Sequence, residues 1–75
     1  MVIVYSTSNC PNCKKAMRYL DIKGVEYKHV DVGVDLDARE DMLKANGGKA
    51  LVPTIIINDE VMVGFDRKAI DQALA

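Results

Sequence analysis

The chain has 75 residues, of which 49% are hydrophobic and 28% charged, and its formal net charge is −1 at pH 7. This length predicts one domain over residues 1–75, and the composition excludes the disordered and collagen-like classes. Because the chain has no basic excess and no basic amphipathic helix, we expect neither nucleic acid nor a membrane surface as a partner. Its apolar runs are too short for a transmembrane helix or a signal peptide, and we expect a monomeric, cytoplasmic protein.

The first two predicted elements are a buried strand and a helix. Val2–Tyr5 is a β-branched and aromatic run, and the turn-forming residues 6–9 follow it. From Pro11 onward the apolar side chains recur at helical spacing until Gly24 ends the pattern. Proline suits the first position of a helix, because its missing N–H would have no partner within the helix.

A second strand and a second helix are predicted in the middle of the chain. Residues Val25–Val32 carry the valines and the tyrosine that are typical of a strand. Asp35 or Asp37 opens the helix, and Asp37 together with Glu40 fits a capping box. The pair Gly47-Gly48 ends this helix.

The last part of the chain predicts a β-hairpin and a third helix. The strand-like runs Pro53–Ile57 and Glu60–Val63 are joined by the turn-forming pair Asn58-Asp59. Gly64 ends the second run, and Asp66 is placed to cap a helix. The resulting order, β-α-β-α-β-β-α, predicts an α/β fold. In this fold a four-stranded mixed sheet, with the first strand in its middle, is flanked on both faces by three helices.

Both cysteines lie in the segment Cys10-Pro11-Asn12-Cys13. A disulfide between them closes too small a loop to act as a structural staple, so they indicate a redox pair or half of a metal site. Cys10 falls at the start of the first helix, where unpaired N–H groups and the helix dipole stabilise a thiolate. Cys13 falls on the apolar face of that helix and should be buried. An exposed thiolate beside a sheltered thiol is the arrangement that disulfide exchange needs.

Metal binding is the alternative interpretation of these cysteines. A zinc site needs four ligands, and His29 is the other candidate. A soft-metal carrier would hold copper(I) or a similar ion between Cys10 and Cys13. Small copper chaperones differ in having the order β-α-β-β-α-β and usually a methionine where this chain has Ser8, so the predicted helix at residues 35–46 separates the two classes. Iron–sulfur cluster handling is a third possibility, against which the second cysteine argues.

The motifs of this chain resemble those of the glutaredoxin family, and most closely its short bacterial and archaeal members. The resemblance covers essentially the whole chain. It rests on Cys10-Pro11-Asn12-Cys13 after the first strand, on Val52-Pro53-Thr54 at the start of the hairpin, and on Val63-Gly64-Phe65-Asp66 after it.

This resemblance implies a thioredoxin fold and a role for several residues. Cys10 would be the nucleophile, Cys13 the resolving thiol and Pro53 a cis-proline facing them. Val52 and the start of the last helix, at Phe65 and Asp66, would form a site for glutathione or an extended peptide.

The implied activity is that of a thiol–disulfide oxidoreductase. Such a protein reduces protein disulfides or glutathione mixed disulfides. Its electrons would come from glutathione or from a donor of the thioredoxin-reductase type, and it would hold no bound cofactor or metal.

Three positions depart from the family pattern within the expected substrate site. Glutaredoxins typically have a tyrosine where this chain has Asn12, a basic residue where it has Thr7, and a second acidic residue where it has Arg67. The missing basic and acidic groups are those that would hold a carboxylate and the ammonium of glutathione. We therefore expect the protein to use glutathione less well than an ordinary glutaredoxin and to favour protein disulfides.

Overall fold

Strands and helices follow one another in the predicted order. A computed structural model describes residues 2–74 of the protein. Its elements are β1 (Val2–Ser6), α1 (Pro11–Ile22), β2 (Lys28–Asp31), α2 (Leu36–Ala45), β3 (Thr54–Ile57), β4 (Glu60–Val63) and α3 (Arg67–Leu74). Across these described residues, every helix falls short of the length and apolar content that a bilayer crossing requires.

The sheet has four strands in the order β2-β1-β3-β4, which confirms the predicted α/β fold with β1 in the interior of the sheet. β1 runs parallel to β2 and antiparallel to β3, and β3 and β4 form the predicted hairpin. Both turn residues of that hairpin have positive φ, 47° at Asn58 and 73° at Asp59. Asparagine and aspartate tolerate this left-handed conformation better than most residues, which explains why they form the turn.

Alternation along the strands sends side chains to two separate cores, because successive strand residues point to opposite faces of the sheet. On one face the sheet packs against α1 and α3, and the buried residues are Val2, Val4, Ala16, Leu20, Ile55, Ile57 and Ile70. On the other face it packs against α2, and the buried residues are Tyr5, Val32, Ala38 and Met42. The helices therefore lie on both sides of the sheet, as predicted.

The starts of three predicted elements differ from the structure. β2 begins at Lys28 rather than Val25, because the Val25 N–H donates to the Leu20 carbonyl at 3.0 Å and so closes the end of α1. The cap of α2 is Asp35, whose Oδ1 accepts from the Ala38 N–H at 3.1 Å, so the capping box that begins at Asp37 is wrong. β3 begins one residue after Pro53, since proline has no N–H for the ladder.

A polar link that the sequence did not reveal joins the surfaces of α1 and α3. The Tyr19 hydroxyl donates to Asp71 Oδ1 at 2.6 Å, and Lys23 Nζ lies 3.0 Å from the same oxygen. Lys23 Nζ also lies 5.2 Å from the centre of the Tyr19 ring. The Tyr19 hydrogen bond, and then Lys23, hold the pKa of Asp71 below its usual value.

The fully buried Leu20 on α1 gives a test of the core between α1 and the sheet. Leu20→Ala should lower the free energy of unfolding by about 2–5 kcal/mol, because the substitution removes apolar contacts and leaves a cavity. Leu36→Ala is the matched control, since Leu36 is 68% exposed, and it should change stability by less than about 0.5 kcal/mol. Urea denaturation of the two variants measures the difference, and equal losses would contradict this account of the core.

Candidate active site

Cys10 forms the N-cap of α1, as predicted from the sequence. Its backbone is extended (φ −124°, ψ 99°), and its Sγ accepts a hydrogen bond from the Cys13 N–H at 3.1 Å. Pro11 follows at the start of the helix. The sulfur thus takes the place that a serine or aspartate oxygen occupies at an ordinary N-cap. The positive end of the helix dipole therefore acts directly on this sulfur.

Cys10 and Cys13 are joined by a disulfide, with their Cα atoms 5.2 Å apart. Cys13 is completely buried, as its place on the apolar face of α1 predicted. Cys10 is only 7% exposed, so it is much less accessible than the sequence analysis predicted. The reason is that its sulfur turns in toward the first turn of α1 and bonds to Cys13. The predicted asymmetry is still present, because solvent reaches Cys10 and not Cys13.

Strand register brings four further segments to the edge of the sheet where the cysteines lie. In the parallel pair Ser6 lies opposite Asp31, and in the antiparallel pair Tyr5 lies opposite Thr54. Thr54 in turn lies opposite Val63. The loops after β1 and β2, the residues before β3 and the residues after β4 therefore meet at one edge. Of the predicted substrate-site residues, this edge includes Thr7, Val52, Pro53, Phe65 and Asp66.

The residues before β3 form a sharp bend. The Val52–Pro53 peptide bond is cis, as predicted, and Pro53 is buried. The Pro53 carbonyl accepts from the Gly64 N–H at 2.8 Å, which closes the hairpin at this end. Within residues 2–74, the N–H and C=O of the half-buried Val52 make no hydrogen bond. Both groups are available to an extended chain lying alongside.

Thr54 and Asn46 hold this bend in place, and the sequence analysis identified neither of them. The buried Thr54 hydroxyl donates to the Leu51 carbonyl at 2.8 Å and accepts from Asn46 Nδ2 at 3.1 Å. Asn46 also bonds to Lys49, donating to its carbonyl at 2.6 Å and accepting from its N–H at 2.9 Å. Hydrogen bonds between side chains and loop backbone have no periodic signal in a sequence, so they were not predictable.

The start of α3 borders the same edge. Asp66 caps the helix as predicted, since its Oδ1 accepts from the N–H groups of Lys68 at 3.0 Å and Ala69 at 3.3 Å. The half-buried Phe65 packs edge-on against Tyr19, with ring centres 6.0 Å apart. Arg67 is exposed in the first turn of α3.

The surroundings of Thr7 carry a negative charge that the sequence analysis missed. The side chains of Thr7 and Asp31 both lie against Gly33. A Cβ at Gly33 would come within 3.8 Å of Thr7 Cγ2 and 3.1 Å of Asp31 Oδ1. Asp31 Oδ1 also accepts from the Gly33 N–H at 2.8 Å, which fixes the carboxylate there. A carboxylate therefore lies close to the position at which glutaredoxins typically have a cation.

Two candidate residues remain, Asn12 and His29. Asn12 is exposed in the first turn of α1. His29, the other candidate metal ligand, lies on β2 and shares a hydrogen bond with Ser6 Oγ. In the part of the chain from 2 to 74, no three His, Cys, Asp or Glu side chains are grouped closely enough to hold a metal ion.

Comparison with solved structures defines the class of the protein. The thioredoxin-like protein BC3987 superimposes with a TM-score of 0.90 at 30% identity, and the match covers 97% of this chain and 99% of that one. Methanoredoxin from Methanosarcina acetivorans superimposes with a TM-score of 0.87 at 32% identity, covering 99% of this chain and 83% of that one. With a cysteine pair at the start of α1, this is a redox protein of the thioredoxin fold.

Sequence comparison then identifies the family. The sequence model described as Glutaredoxin matches residues 2–62. An uncharacterized glutaredoxin-like 8.6 kDa protein in the rubredoxin operon of Clostridium pasteurianum is 36% identical over 74 residues, which is 99% of this chain and 97% of that protein. The chain belongs to the glutaredoxin family, whose members are in general thiol–disulfide oxidoreductases. The observed helix α2 also separates its topology from that of the copper chaperones.

The buried Thr54 hydroxyl allows a test of what holds the bend before β3. Thr54→Val should lower the free energy of unfolding by about 1–3 kcal/mol, because it leaves the Leu51 carbonyl and the Asn46 amide without this partner. In the Thr54→Val background, Asn46→Ala should cost less than it does alone, by about 0.5 kcal/mol or more. Chemical denaturation of the two single variants and the double variant gives the free energies of unfolding for this double-mutant cycle. Fully additive losses would show that the two side chains do not act together.

Proposed function

We propose that this protein reduces protein disulfides, with Cys10 as the nucleophile and Cys13 as the resolving thiol. The observation that carries the proposal is the hydrogen bond from the Cys13 N–H to Cys10 Sγ, 3.1 Å long, at the N-terminus of α1. In the reduced protein this N–H and the helix dipole stabilise a thiolate at Cys10. The thiolate is the form of cysteine that attacks disulfides.

The proposed reaction exchanges one disulfide for another. The Cys10 thiolate attacks one sulfur of the substrate disulfide, whose S–S bond breaks, and the second substrate sulfur leaves as a thiolate and takes up a proton. Cys13 then loses its proton and attacks Cys10 Sγ, and the first substrate sulfur leaves and is protonated. The substrate gains two electrons and two protons, and the protein ends with the Cys10–Cys13 disulfide. The dithiol itself carries the electrons, so no bound cofactor is required.

Burial supports different roles for the two cysteines. Cys13 is completely buried, whereas Cys10 retains solvent contact. A substrate sulfur therefore reaches Cys10 first. The Cα atoms of the pair are 5.2 Å apart, so Cys13 can attack Cys10 without a large movement of the backbone.

The backbone of Val52 supplies the means to bind an extended segment of the substrate. An N–H and a C=O that make no hydrogen bond within residues 2–74 can pair with a passing strand by β-augmentation. Pro53 would lie under that strand, and Asn12 and Phe65 would border it. Such binding depends on the backbone of the substrate rather than on its side chains, so protein clients of different sequence could bind in the same way.

The two cysteine variants test these roles. Cys10→Ser should abolish disulfide reduction, because no nucleophile remains. Cys13→Ser should still form mixed disulfides with a substrate but fail to release them, which intact-mass spectrometry detects directly. In the reduced wild-type protein, alkylation below neutral pH should label Cys10 first. Faster labelling of Cys13 would reverse the proposed assignment.

We further propose that glutathione is a poorer substrate here than for an ordinary glutaredoxin. Arg67 stands where the family typically has an acidic residue for the glutathione ammonium, and its repulsion amounts to ~1 kcal/mol at a solvated distance. Thr7 lacks the positive charge that would hold the glycyl carboxylate, a loss of about 1 kcal/mol for an exposed pair. The nearby Asp31 carboxylate adds repulsion in the same place. Together these effects predict binding weaker by about tenfold or somewhat more.

Restoring the family residues tests this preference. Thr7→Lys and Arg67→Asp should each raise kcat/KM for a glutathionylated peptide, by about fivefold for ~1 kcal/mol. Neither change should raise kcat/KM for an uncharged protein disulfide, which is the control substrate. Unchanged rates in both variants would show that the glutathione site lies elsewhere. Wild-type turnover equal to that of a typical glutaredoxin would show that the departures have no effect.

The electron donor follows from the same preference. The glutaredoxin family works with glutathione or with reductase-type partners, and weak glutathione binding favours a donor of the thioredoxin-reductase type. We place the reaction in the cytoplasm, where such donors keep thiols reduced. The two donors are distinguished by measuring the turnover of one disulfide substrate with glutathione and then with a donor of the thioredoxin-reductase type.

A further inference from the structure

A groove between α1 and the start of α3 adjoins the proposed substrate site and shares Phe65 and Arg67 with it. Its volume is about 290 Å³. The side chains that line it are Lys15, Arg18, Tyr19, Ile22, Phe65 and Arg67. Those on α1 recur at helical spacing, so they form one stripe along the outer face of the helix.

The groove is strongly positive. Half of its lining side chains are basic and none is acidic. The Asp71 carboxylate beside this wall accepts from the Tyr19 hydroxyl at 2.6 Å, pairs with Lys23 at 3.0 Å and is also attracted by Arg67. This carboxylate therefore acts mainly on Tyr19 and Lys23 and more weakly on Arg67, and it leaves the charges on Lys15 and Arg18 available to a ligand.

The same groove presents an apolar anchor point. Ile22 is 73% exposed, although it lies beside the edge-to-face pair of Tyr19 and Phe65. An exposed aliphatic side chain against aromatic rings offers a place for one apolar side chain of a partner. A ring of charged groups around such an anchor is the common pattern of protein interfaces.

The groove is continuous with the active-site edge. Phe65 lines the groove and also belongs to the predicted substrate site, and Phe65 and Arg67 flank the α3 cap residue Asp66. A polypeptide whose disulfide reaches Cys10 could therefore continue along the groove.

We propose that this groove docks an acidic segment of the client protein, with one apolar side chain of that segment seated against Ile22, Tyr19 and Phe65. Carboxylates of the segment would pair with Lys15, Arg18 and Arg67. The inference rests on the proposed function, because it names a class of client for the same cysteines. Positive charge around the groove, with no acidic lining residue, is what selects an acidic partner.

Binding is tested first, without any redox step, by fluorescence anisotropy of a labelled, cysteine-free peptide that has a central leucine between glutamates. This peptide should bind the wild-type protein, and its affinity should fall as salt is added. A matched peptide with lysine in place of each glutamate should bind about tenfold more weakly. A matched peptide with serine in place of the leucine should bind about fivefold more weakly.

Variants of this chain locate the binding surface. Arg18→Glu should weaken binding about tenfold, since it replaces attraction by repulsion, and Ile22→Ser should weaken it about fivefold. Arg39→Glu is the matched control, because Arg39 is an exposed helix residue on α2, across the sheet from the groove. It should leave the affinity unchanged. Equal binding of the acidic and basic peptides, or equal effects of Arg18→Glu and Arg39→Glu, would overturn the proposal.

Two further outcomes are decisive. If Ile22→Ser abolishes a concentration-dependent dimer in sedimentation experiments, the groove binds a second copy of this chain and the proposal is wrong. The rate of disulfide reduction is then compared for two peptides, one that carries the acidic leucine-containing segment next to its disulfide and one that lacks this segment. This comparison separates docking from chemistry. If neither peptide is reduced, the proposed function is wrong, and the anisotropy measurement still shows whether the groove binds an acidic segment. If both are reduced at the same rate, docking fails and the proposed function stands.

Discussion

The position of β1 inside the sheet is the constraint on which the rest of the structure depends. β1 pairs with β2 on one side and β3 on the other, and their registers place the ends of four connecting segments at one edge. Cys10 reaches that edge because β1 leads directly through a short loop into α1. If β1 were a border strand, β2 and β3 could not both pair with it, and their connecting segments would not share this edge.

Helix capping is the physical link between this fold and its chemistry. Most N-caps use an oxygen, and here the acceptor is the sulfur of Cys10. In the mechanism we propose, the groups that complete the helix would therefore also stabilise a thiolate in the reduced protein. Because Cys13 lies one turn further along the same helix and is fully buried, one structural element produces both an accessible and a sheltered sulfur.

Charge is the basis of the substrate preference that we propose for this protein. Asp31 lies beside Thr7 on one side of the active-site edge, and Arg67 begins α3 on the other. Asp31 is negative close to the position where a glutaredoxin typically has a cation for a glutathione carboxylate. Arg67 is positive where the family typically has an acidic residue for the glutathione ammonium. The Lys15, Arg18 and Arg67 charges along the neighbouring groove instead match an acidic polypeptide.

Local patterns in the sequence determined the element order, the cap residues Cys10 and Asp66, and the buried position of Cys13. Such features depend on residues a few positions apart, and helical periodicity and capping chemistry describe them well. The cis bond before Pro53 came from the resemblance to the family rather than from local physics. Tertiary structure alone decided the approach of Asp31 to Thr7, the Thr54–Asn46 support of the bend, and the Tyr19–Asp71 link. These contacts join separate elements, so they depend on strand register and helix packing, which no local pattern encodes.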